Sequence, residues 1–180
     1  MGLLRDRMGS SDEAEAPPPS VYRMREKLLS IGDDFWIENG AGERVFKVNG
    51  KALRIRDTLN FEDRDGHKLL QIQERKLRVR DTMAIERDGD TVATVRKALI
   101  TPFRERFKVD LENGGEYDVH GNILDHEYKF ERDGREVASV SKRWFRVRDT
   151  YGVDVAAGEN DILVLAATVA IDQMTHDEAG

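Results

Sequence analysis

Apolar and polar residues alternate along most of this chain, and one segment breaks the alternation. Runs such as 46–48, 70–72, 107–109 and 128–130 place an apolar residue at every second position. This period of two is typical of strands that turn one face toward a core and the other toward water. The exception is 162–171, ten uncharged residues in a protein in which 36% of residues are charged. We expect this segment to be buried.

Glycine-containing turn signals separate the alternating runs. Asn-Gly and Asp-Gly pairs supply the positive φ angles that tight hairpin turns require. The body is therefore predicted to be a succession of β-hairpins, and a sheet of this many strands hides its edges most completely by closing into a barrel. The signals are Asn39-Gly40, Asn49-Gly50, Asp65-Gly66, Asp88-Gly89, Asn113-Gly114, Gly121-Asn122 and Asp133-Gly134.

Two internal repeats support the hairpin prediction. The first is an apolar-Arg-apolar-Arg-Asp-Thr string, found at 53–58, 77–82 and 145–150. The second aligns 85–97 with 130–142, and eight of those thirteen positions are identical.

The uncharged segment is the candidate to fill a barrel interior. Its β-branched residues leave a buried strand open as an alternative. Its length, its three alanines and the preceding Glu159-Asn160-Asp161 favour a helix, with Asn160 or Asp161 as the cap. A ten-residue helix is ~15 Å long, whereas a transmembrane helix needs roughly 20 apolar residues. A membrane span is therefore not predicted.

Composition and charge narrow the function classes. A chain of 180 residues predicts one domain, and its net charge of −6 divides into −2 for 1–20, −3 for 172–180 and −1 for the body. A nearly neutral body argues against nucleic acid as a partner.

The absence of cysteine excludes disulfides, thiolate metal sites and a cysteine nucleophile. Because the sequence also has no secretory signal, we expect a cytoplasmic protein. The acidic, proline-rich residues 1–20 are predicted to be disordered, and 176–180 to form an acidic tail.

A set of short motifs follows a fixed order along the chain: Tyr22-Arg-Met-Arg-Glu-Lys27, Asp34-Phe-Trp-Ile37, Gly50-Lys51, the strand 137–142, Asp149-Thr-Tyr151 and the apolar segment that runs into 170–174. Their order and spacing resemble the LURP-one-related family, whose fold resembles the Tubby C-terminal domain and the phospholipid scramblases. The resemblance implies a mainly β fold over 21–175: a closed antiparallel barrel of about twelve strands around a central hydrophobic C-terminal helix. It implies little about activity.

The arginines of the first repeat are the candidate anion-binding residues. On a strand, the two arginines of each copy share one face, and arginine forms bidentate hydrogen bonds with phosphate. Six guanidinium groups in a ladder would suit anionic phospholipid or phosphoinositide headgroups. The alternative is that they pair with carboxylates of neighbouring strands, such as Glu62, Glu74 and Glu86. The six are Arg54, Arg56, Arg78, Arg80, Arg146 and Arg148.

Other polar residues offer weaker candidates. Asp57, Asp81 and Asp149 could gather at one rim to bind a cation or a proton, or each could end its strand. The histidines at 67, 120 and 126 are predicted to lie in surface turns, with a cluster of His120, Asp125 and His126 as the alternative. Trp36 and Trp144 are predicted to pack in the core or at its rim, and the alternative is contact with a membrane or ligand.

No catalytic motif, cofactor motif or metal-ligand spacing emerges from the sequence. We therefore predict a non-enzymatic binding or scaffolding module without a cofactor or metal, whose partner is an anionic lipid or another protein. A small-ligand carrier or enzyme acting at a barrel mouth near the Asp-Thr segments is the alternative. A cavity of several hundred Å³ between the helix and the barrel wall would favour it.

Overall fold

The structure of the protein is a computed structural model, and it describes residues 18–25, 34–50, 58–77, 80–98, 106–144 and 150–177. The N-terminal segment that was predicted to be disordered and the predicted acidic tail therefore fall largely outside the described residues.

Twelve antiparallel strands form a closed barrel within the described residues. Each strand pairs with the next one along the chain, and the last closes against the first, so the predicted architecture is confirmed. The strands are β1 Ser20–Arg25, β2 Phe35–Asn39, β3 Arg44–Asn49, β4 Thr58–Asp63, β5 Lys68–Leu77, β6 Arg80–Arg87, β7 Asp90–Ala98, β8 Arg106–Leu111, β9 Glu116–Asn122, β10 Glu127–Arg132, β11 Arg135–Ser141 and β12 Thr150–Val155.

The alternation of the sequence becomes the inner and outer surfaces of the barrel. In β8, Phe107 and Val109 are buried while Lys108 between them is partly exposed, and β9 and β10 repeat the pattern. Burying an aliphatic or phenyl side chain of this size contributes about 1.5–3 kcal/mol. The inward residues of the sheet therefore provide much of the stability.

One helix, α1 (Asp161–Asp177), fills the barrel. Residues 164–171 have no exposed surface, so the helix is surrounded on all sides and the alternative of a buried strand is wrong. The amide of Leu163 donates a 3.1 Å hydrogen bond to Oδ1 of Asn160, which identifies Asn160 as the predicted cap. The hydroxyl of the buried Thr168 donates to the carbonyl of Val164, so it needs no partner from the wall.

The two ends of the barrel differ in their connections. We call the end at which α1 begins the turn end, where the chain reverses through 40–43, 64–67, 88–89, 112–115 and 133–134 and enters the helix through 156–160. The opposite end is the loop end, where the strands are joined through 26–34, 50–57, 78–79, 99–105, 123–126 and 142–149. The pairing of neighbouring strands fixes this division.

The Asp-Gly turn predictions are confirmed most directly in the second repeat. Asp88 and Gly89 have φ angles of 53° and 94°, and Asp133 and Gly134 have 52° and 75°, as a two-residue hairpin turn requires. Gly121-Asn122, in contrast, is not a turn: both residues lie in β9, and the reversal occurs at 123–126. Gly121 instead allows β9 and β10 to approach closely, because a Cβ atom at this position would lie 2.6 Å from the carbonyl oxygen of Glu127.

Candidate functional site

A pocket of about 490 Å³ opens at the turn end, between the start of α1 and the barrel wall. Its size lies within the range of about 300–1,000 Å³ that is common for small-molecule sites. Its wall combines apolar, aromatic, amide and charged side chains. The lining residues are Arg87, Val92, Leu111, Glu112, Asn113, Tyr117, Arg132, Gly158, Glu159, Asn160 and Leu163.

An ion pair forms one side of this pocket. A guanidinium nitrogen of Arg132 lies 2.5 Å from Oε1 of Glu159, and the guanidinium group lies over the ring of Tyr117 at 5.5 Å from its centroid. The Tyr117 hydroxyl points to the other oxygen of Glu159 at 3.4 Å. Burial raises the pKa of Tyr117, and the charge of Glu159 adds to this effect. Tyr117 is therefore a neutral hydroxyl at physiological pH, and Arg132 is largely occupied by Glu159.

The second sequence repeat places two arginines at this pocket. Arg87 and Arg132 occupy the same position of the Glu-Arg-Asp-Gly string, at the ends of β6 and β10 immediately before their hairpin turns. Arg132 is paired, as described above. Arg87 is exposed, and among the described residues no ion pair or hydrogen bond of its side chain is present. The repeat therefore yields one structural arginine and one arginine that is accessible to a ligand.

The remaining lining is amphipathic. Val92, Leu111 and Leu163 are partly buried and give the pocket an apolar surface that extends from the core. Asn113 adds an exposed amide, and Glu112 adds an exposed carboxylate. A molecule with an apolar body and a polar or charged head matches such a wall.

The start of α1 is held in place by β1. The Tyr22 hydroxyl donates a 2.6 Å hydrogen bond to Oδ2 of Asp161, the first residue of the helix. Burial, followed by this hydrogen bond and the charge of Asp161, raises the pKa of Tyr22 to about 12. The contact holds the helix terminus that forms one wall of the pocket, so the pocket is supported by a strand that lies 139 residues earlier in the sequence.

A buried polar cluster lies toward the loop end of the barrel. The Tyr151 hydroxyl donates a 2.5 Å hydrogen bond to Oδ2 of Asp172, and Nε2 of His126 lies 3.3 Å from Oδ1 of the same carboxylate. The imidazole ring stacks on Tyr151 with 4.4 Å between ring centroids. His126 and Asp172 are 6% and 3% exposed. The cluster therefore links the 123–126 connection, β12 and the helix inside the barrel.

Tyr128 belongs to the same region. Burial, followed by the negative charge of Asp172, raises the pKa of Tyr128 well above its usual value, and an interaction with Thr168 opposes this in part. In the described part of the chain, neither the Tyr128 hydroxyl nor Nδ1 of His126 has a hydrogen-bond partner of good geometry. Buried polar atoms such as these are costly, so we expect this region to be sensitive to substitution.

The predicted turn histidines have different environments. His67 is exposed and lies 3.0 Å from Asp63, and His120 is partly exposed and lies 3.0 Å from Glu131. The prediction of a surface position is wrong for His126, which is buried, has a φ of 51° and contacts Asp172. The alternative cluster with Asp125 is also wrong, because the Asp125 carboxylate accepts a hydrogen bond from Asn122.

The six candidate arginines lie outside the described side chains, so their predicted ladder remains a prediction. Around the second copy, β5 ends at Leu77 and β6 begins at Arg80, and these two residues are paired. The side chains of Asp57, Asp81 and Asp149 also lie outside the described set. The threonines that end the three repeat copies are described and are all buried, namely Thr58, Thr82 and Thr150.

Neither tryptophan lies in the core. Trp36 is partly buried under the guanidinium group of Arg44, at 5.5 Å from the ring centroid. Trp144 is 44% exposed just after β11, at the loop end, where Leu124 is 63% exposed. Trp36 therefore lies on the outer face of β2 and Trp144 is exposed beyond β11, so core packing is wrong for both.

One set of potential metal ligands occurs among the described residues. Single ligand atoms of Asp63, Asp65 and His67 lie within 4.8 Å of one another in the exposed β4–β5 turn. The Asp63 carboxylate already accepts hydrogen bonds from the His67 and Asp65 amides and pairs with the His67 ring. These hydrogen bonds stabilise the turn and explain why the three side chains lie close together.

Sequence reasoning missed both the turn-end pocket and the buried cluster. The pairs Arg132–Glu159, Tyr151–Asp172 and Tyr22–Asp161 are separated by 27, 21 and 139 residues. The sequence did contain an indication of the pocket, because the second repeat places an arginine before each of its two Asp-Gly turns and both arginines line the pocket. A signal for the cluster was Asp172, a carboxylate that directly follows the uncharged segment.

No helix in the described residues is long and apolar enough to cross a membrane. A model of the LURP-one-related family matches residues 20–172. A comparison with curated proteins finds no match. The fold is similar to that of the X-ray structure of a protein from Arabidopsis thaliana, with a TM-score of 0.68, 18% sequence identity and coverage of 89% of this chain and 93% of that chain. At this identity the likeness concerns the fold alone.

Proposed function

The chain belongs to the LURP-one-related family, and on that premise we propose that it is a non-enzymatic, cytoplasmic binding module whose ligand site is the turn-end pocket. The observation that carries the proposal is the 490 Å³ cavity between the start of α1 and the barrel wall. The ligand class is a small amphipathic molecule, because apolar and charged groups share the wall.

The chemistry of the wall supports binding rather than turnover. Arg132 is held by Glu159, and the raised pKa of Tyr117 makes its hydroxyl a poor base near neutral pH. General acid–base catalysis is most efficient when a group has a pKa close to the working pH. The groups of the pocket are thus suited to hold a molecule in a fixed orientation without a cofactor.

A titration with four octyl amphiphiles tests this proposal. The probes share one chain and differ in the head: octyl dimethylglycine betaine, octanoate, octyltrimethylammonium and octanol. We expect saturable binding at one site, with NMR shifts at Tyr117, Gly158 and Leu163, because the apolar chain would lie against the pocket wall.

A pocket-filling variant supplies the control. Asn113→Trp places a large ring in an exposed turn that lines the pocket, and we expect it to abolish binding. Arg64→Trp makes a similar change in another turn of the same end, outside the pocket lining, and should leave binding intact. The proposal is wrong if none of the four probes saturates, or if Asn113→Trp binds as well as the wild type.

The second candidate function is peripheral binding of anionic phospholipid or phosphoinositide at the loop end. The difference in charge between the two ends favours it. By sequence, the turn-end connections contain six acidic residues and one basic residue, Arg64, which gives a net charge of −5. The loop-end connections contain ten basic and seven acidic residues, which gives a net charge of +3. The threonines that end the three Arg-x-Arg-Asp-Thr copies, Thr58, Thr82 and Thr150, lie near the loop-end starts of β4, β6 and β12, and Trp144 and Leu124 are exposed at the same end. Basic residues beside an exposed tryptophan suit an anionic membrane surface.

Liposome sedimentation tests this second function. We expect the protein to sediment with vesicles that contain phosphatidylserine and not with pure phosphatidylcholine vesicles. Binding should weaken as salt rises, because screening reduces the attraction, and in the Arg78→Ala/Arg80→Ala double variant. Equal sedimentation with both kinds of vesicle, or sedimentation that does not depend on salt, would remove this candidate.

A further inference from the structure

The charges of the turn-end pocket do not all cancel locally. Four charged residues line it, and two of them, Arg132 and Glu159, form a direct ion pair. The other two are Arg87 and Glu112, both exposed, and no ion pair of either side chain is present in the described part of the molecule. The pocket therefore presents one accessible cation and one accessible anion beside an apolar wall.

The topology separates these two charges by one strand. Arg87 ends β6 and Glu112 directly follows β8, and both of these strands pair with β7. Adjacent strands are about 4.8 Å apart, so the two backbones lie about 10 Å from each other. Along β7 the two are offset by two residues, because Arg87 pairs with Asp90 whereas the amide of Glu112 donates a 3.1 Å hydrogen bond to the carbonyl of Val92. Two charged side chains thus flank an apolar strip from opposite sides.

This arrangement is complementary to a zwitterion. A purely anionic head would meet Arg87 but also the carboxylate of Glu112, and a purely cationic head would meet the reverse conflict. A head that carries both charges satisfies both side chains, and like-charge contacts reject the wrong heads. Leu111 and Leu163 extend the apolar surface on which the rest of the molecule would rest.

We infer that the turn-end pocket binds a small zwitterion with an apolar body, whose anionic group pairs with Arg87 and whose cationic group pairs with Glu112. This inference rests on the proposed binding function and specifies its ligand class. Apolar amino acids, short apolar peptides and short-chain zwitterionic lipids share this chemistry. Arg132 positions Glu159 and Tyr117 and is not assigned a ligand contact.

The four octyl probes distinguish the inference from the function on which it rests. We expect the betaine to bind about tenfold more tightly than octanoate, octyltrimethylammonium or octanol. Arg87→Gln and Glu112→Gln should each weaken betaine binding by about tenfold, the effect of losing one charge-assisted contact. Arg87→Gln should leave binding of the cationic probe unchanged or improved, and Glu112→Gln should do the same for octanoate.

Exchanging the two charges is the most specific test of the inference. The double variant Arg87→Glu/Glu112→Arg should recover part of the betaine affinity that either single reversal loses. Arg135→Gln and Glu136→Gln, exposed charges at the start of β11 outside the pocket lining, serve as matched controls and should change nothing. Leucine and the dipeptide Leu-Leu, compared with short-chain phosphocholine, then separate the amino-acid source from the lipid source.

The outcomes separate cleanly. If no probe binds, the proposed function and this inference both fail. If probes bind and Asn113→Trp blocks them, but the betaine has no advantage or Glu112→Gln has no effect, the function stands and the zwitterion inference is overturned. Thermal unfolding of each variant verifies that it stays folded, and a folded variant makes either result decisive.

Discussion

The two ends of this barrel hold the same helix in different ways. At the turn end, α1 begins beside solvent, with a cap from Asn160, a hydrogen bond from Tyr22 and an open pocket. Toward the loop end, Asp172 is 3% exposed and meets Tyr151 and His126. The buried cluster contacts the helix deep in the barrel, whereas at the turn end Arg87 and Glu112 have no ion pair among the described residues, and we propose that these two residues serve a ligand.

The largest expected difference between the ends comes from the two helix carboxylates. Asp172→Ala removes the carboxylate that accepts from the buried Tyr151 hydroxyl and contacts the buried His126, and losing such a partner costs about 1–3 kcal/mol for each buried polar group. Asp161→Ala removes a partly exposed acceptor at the turn end and should cost about 1 kcal/mol. Urea denaturation of both variants measures the contrast.

Asp172→Asn refines this comparison, because it retains an acceptor for Tyr151 and should cost less than alanine. If Asp161→Ala and Asp172→Ala lowered the free energy of unfolding equally, the two ends would not differ in the way described.

Glycine substitutions should show a smaller difference of the same kind. Gly121→Ala combines a φ of 137° with a Cβ 2.6 Å from the Glu127 carbonyl oxygen, so the β9–β10 pair must separate, at about 2–4 kcal/mol. Gly134→Ala at the turn end meets no atom within 4 Å and bears only backbone strain at a φ of 75°, about 1 kcal/mol. Thermal unfolding measures the melting temperature of each variant. A larger decrease for Gly134→Ala than for Gly121→Ala would contradict this account.

The smallest effect concerns pH at the turn end. The folded pKa of Tyr22, about 12, exceeds its ordinary value of 10.0, so the contribution of the neutral hydroxyl to stability is complete below pH 10 and is lost as the pH rises through 12. The stability difference between the wild type and Tyr22→Phe should therefore shrink over this range. A difference that stayed constant from pH 9 to 12 would show that the Tyr22–Asp161 bond does not hold the helix start.

Much of the fold could be predicted because it depends on patterns of residues that are close in sequence. The period-two runs, the Asp-Gly turns at 88–89 and 133–134 and the uncharged segment each depend on neighbouring residues, and each corresponds to an element. The signal at Gly121-Asn122 misled, since a glycine also permits close approach of two strands. The same local pattern was thus compatible with two different backbone roles.

The candidate site could not be predicted in the same way. His126 resembles any turn histidine until the barrel closes, and its contact with Asp172 depends on the depth at which the helix enters. The pocket likewise depends on Glu159 reaching Arg132 from a segment 27 residues further along the chain. Charge and spacing in the sequence do not encode such distances, although the repeated Glu-Arg-Asp-Gly string indicated where two arginines would lie.

The most direct test of the central claim is an NMR titration of the isotopically labelled protein with octyl dimethylglycine betaine. We predict saturable shifts at Tyr117, Gly158 and Leu163, which line the turn-end pocket, while Ile123 and Glu127 at the loop end remain unchanged. Shifts confined to the loop end, or the absence of any saturable shift, would contradict the division of the barrel into a secured end and a binding end.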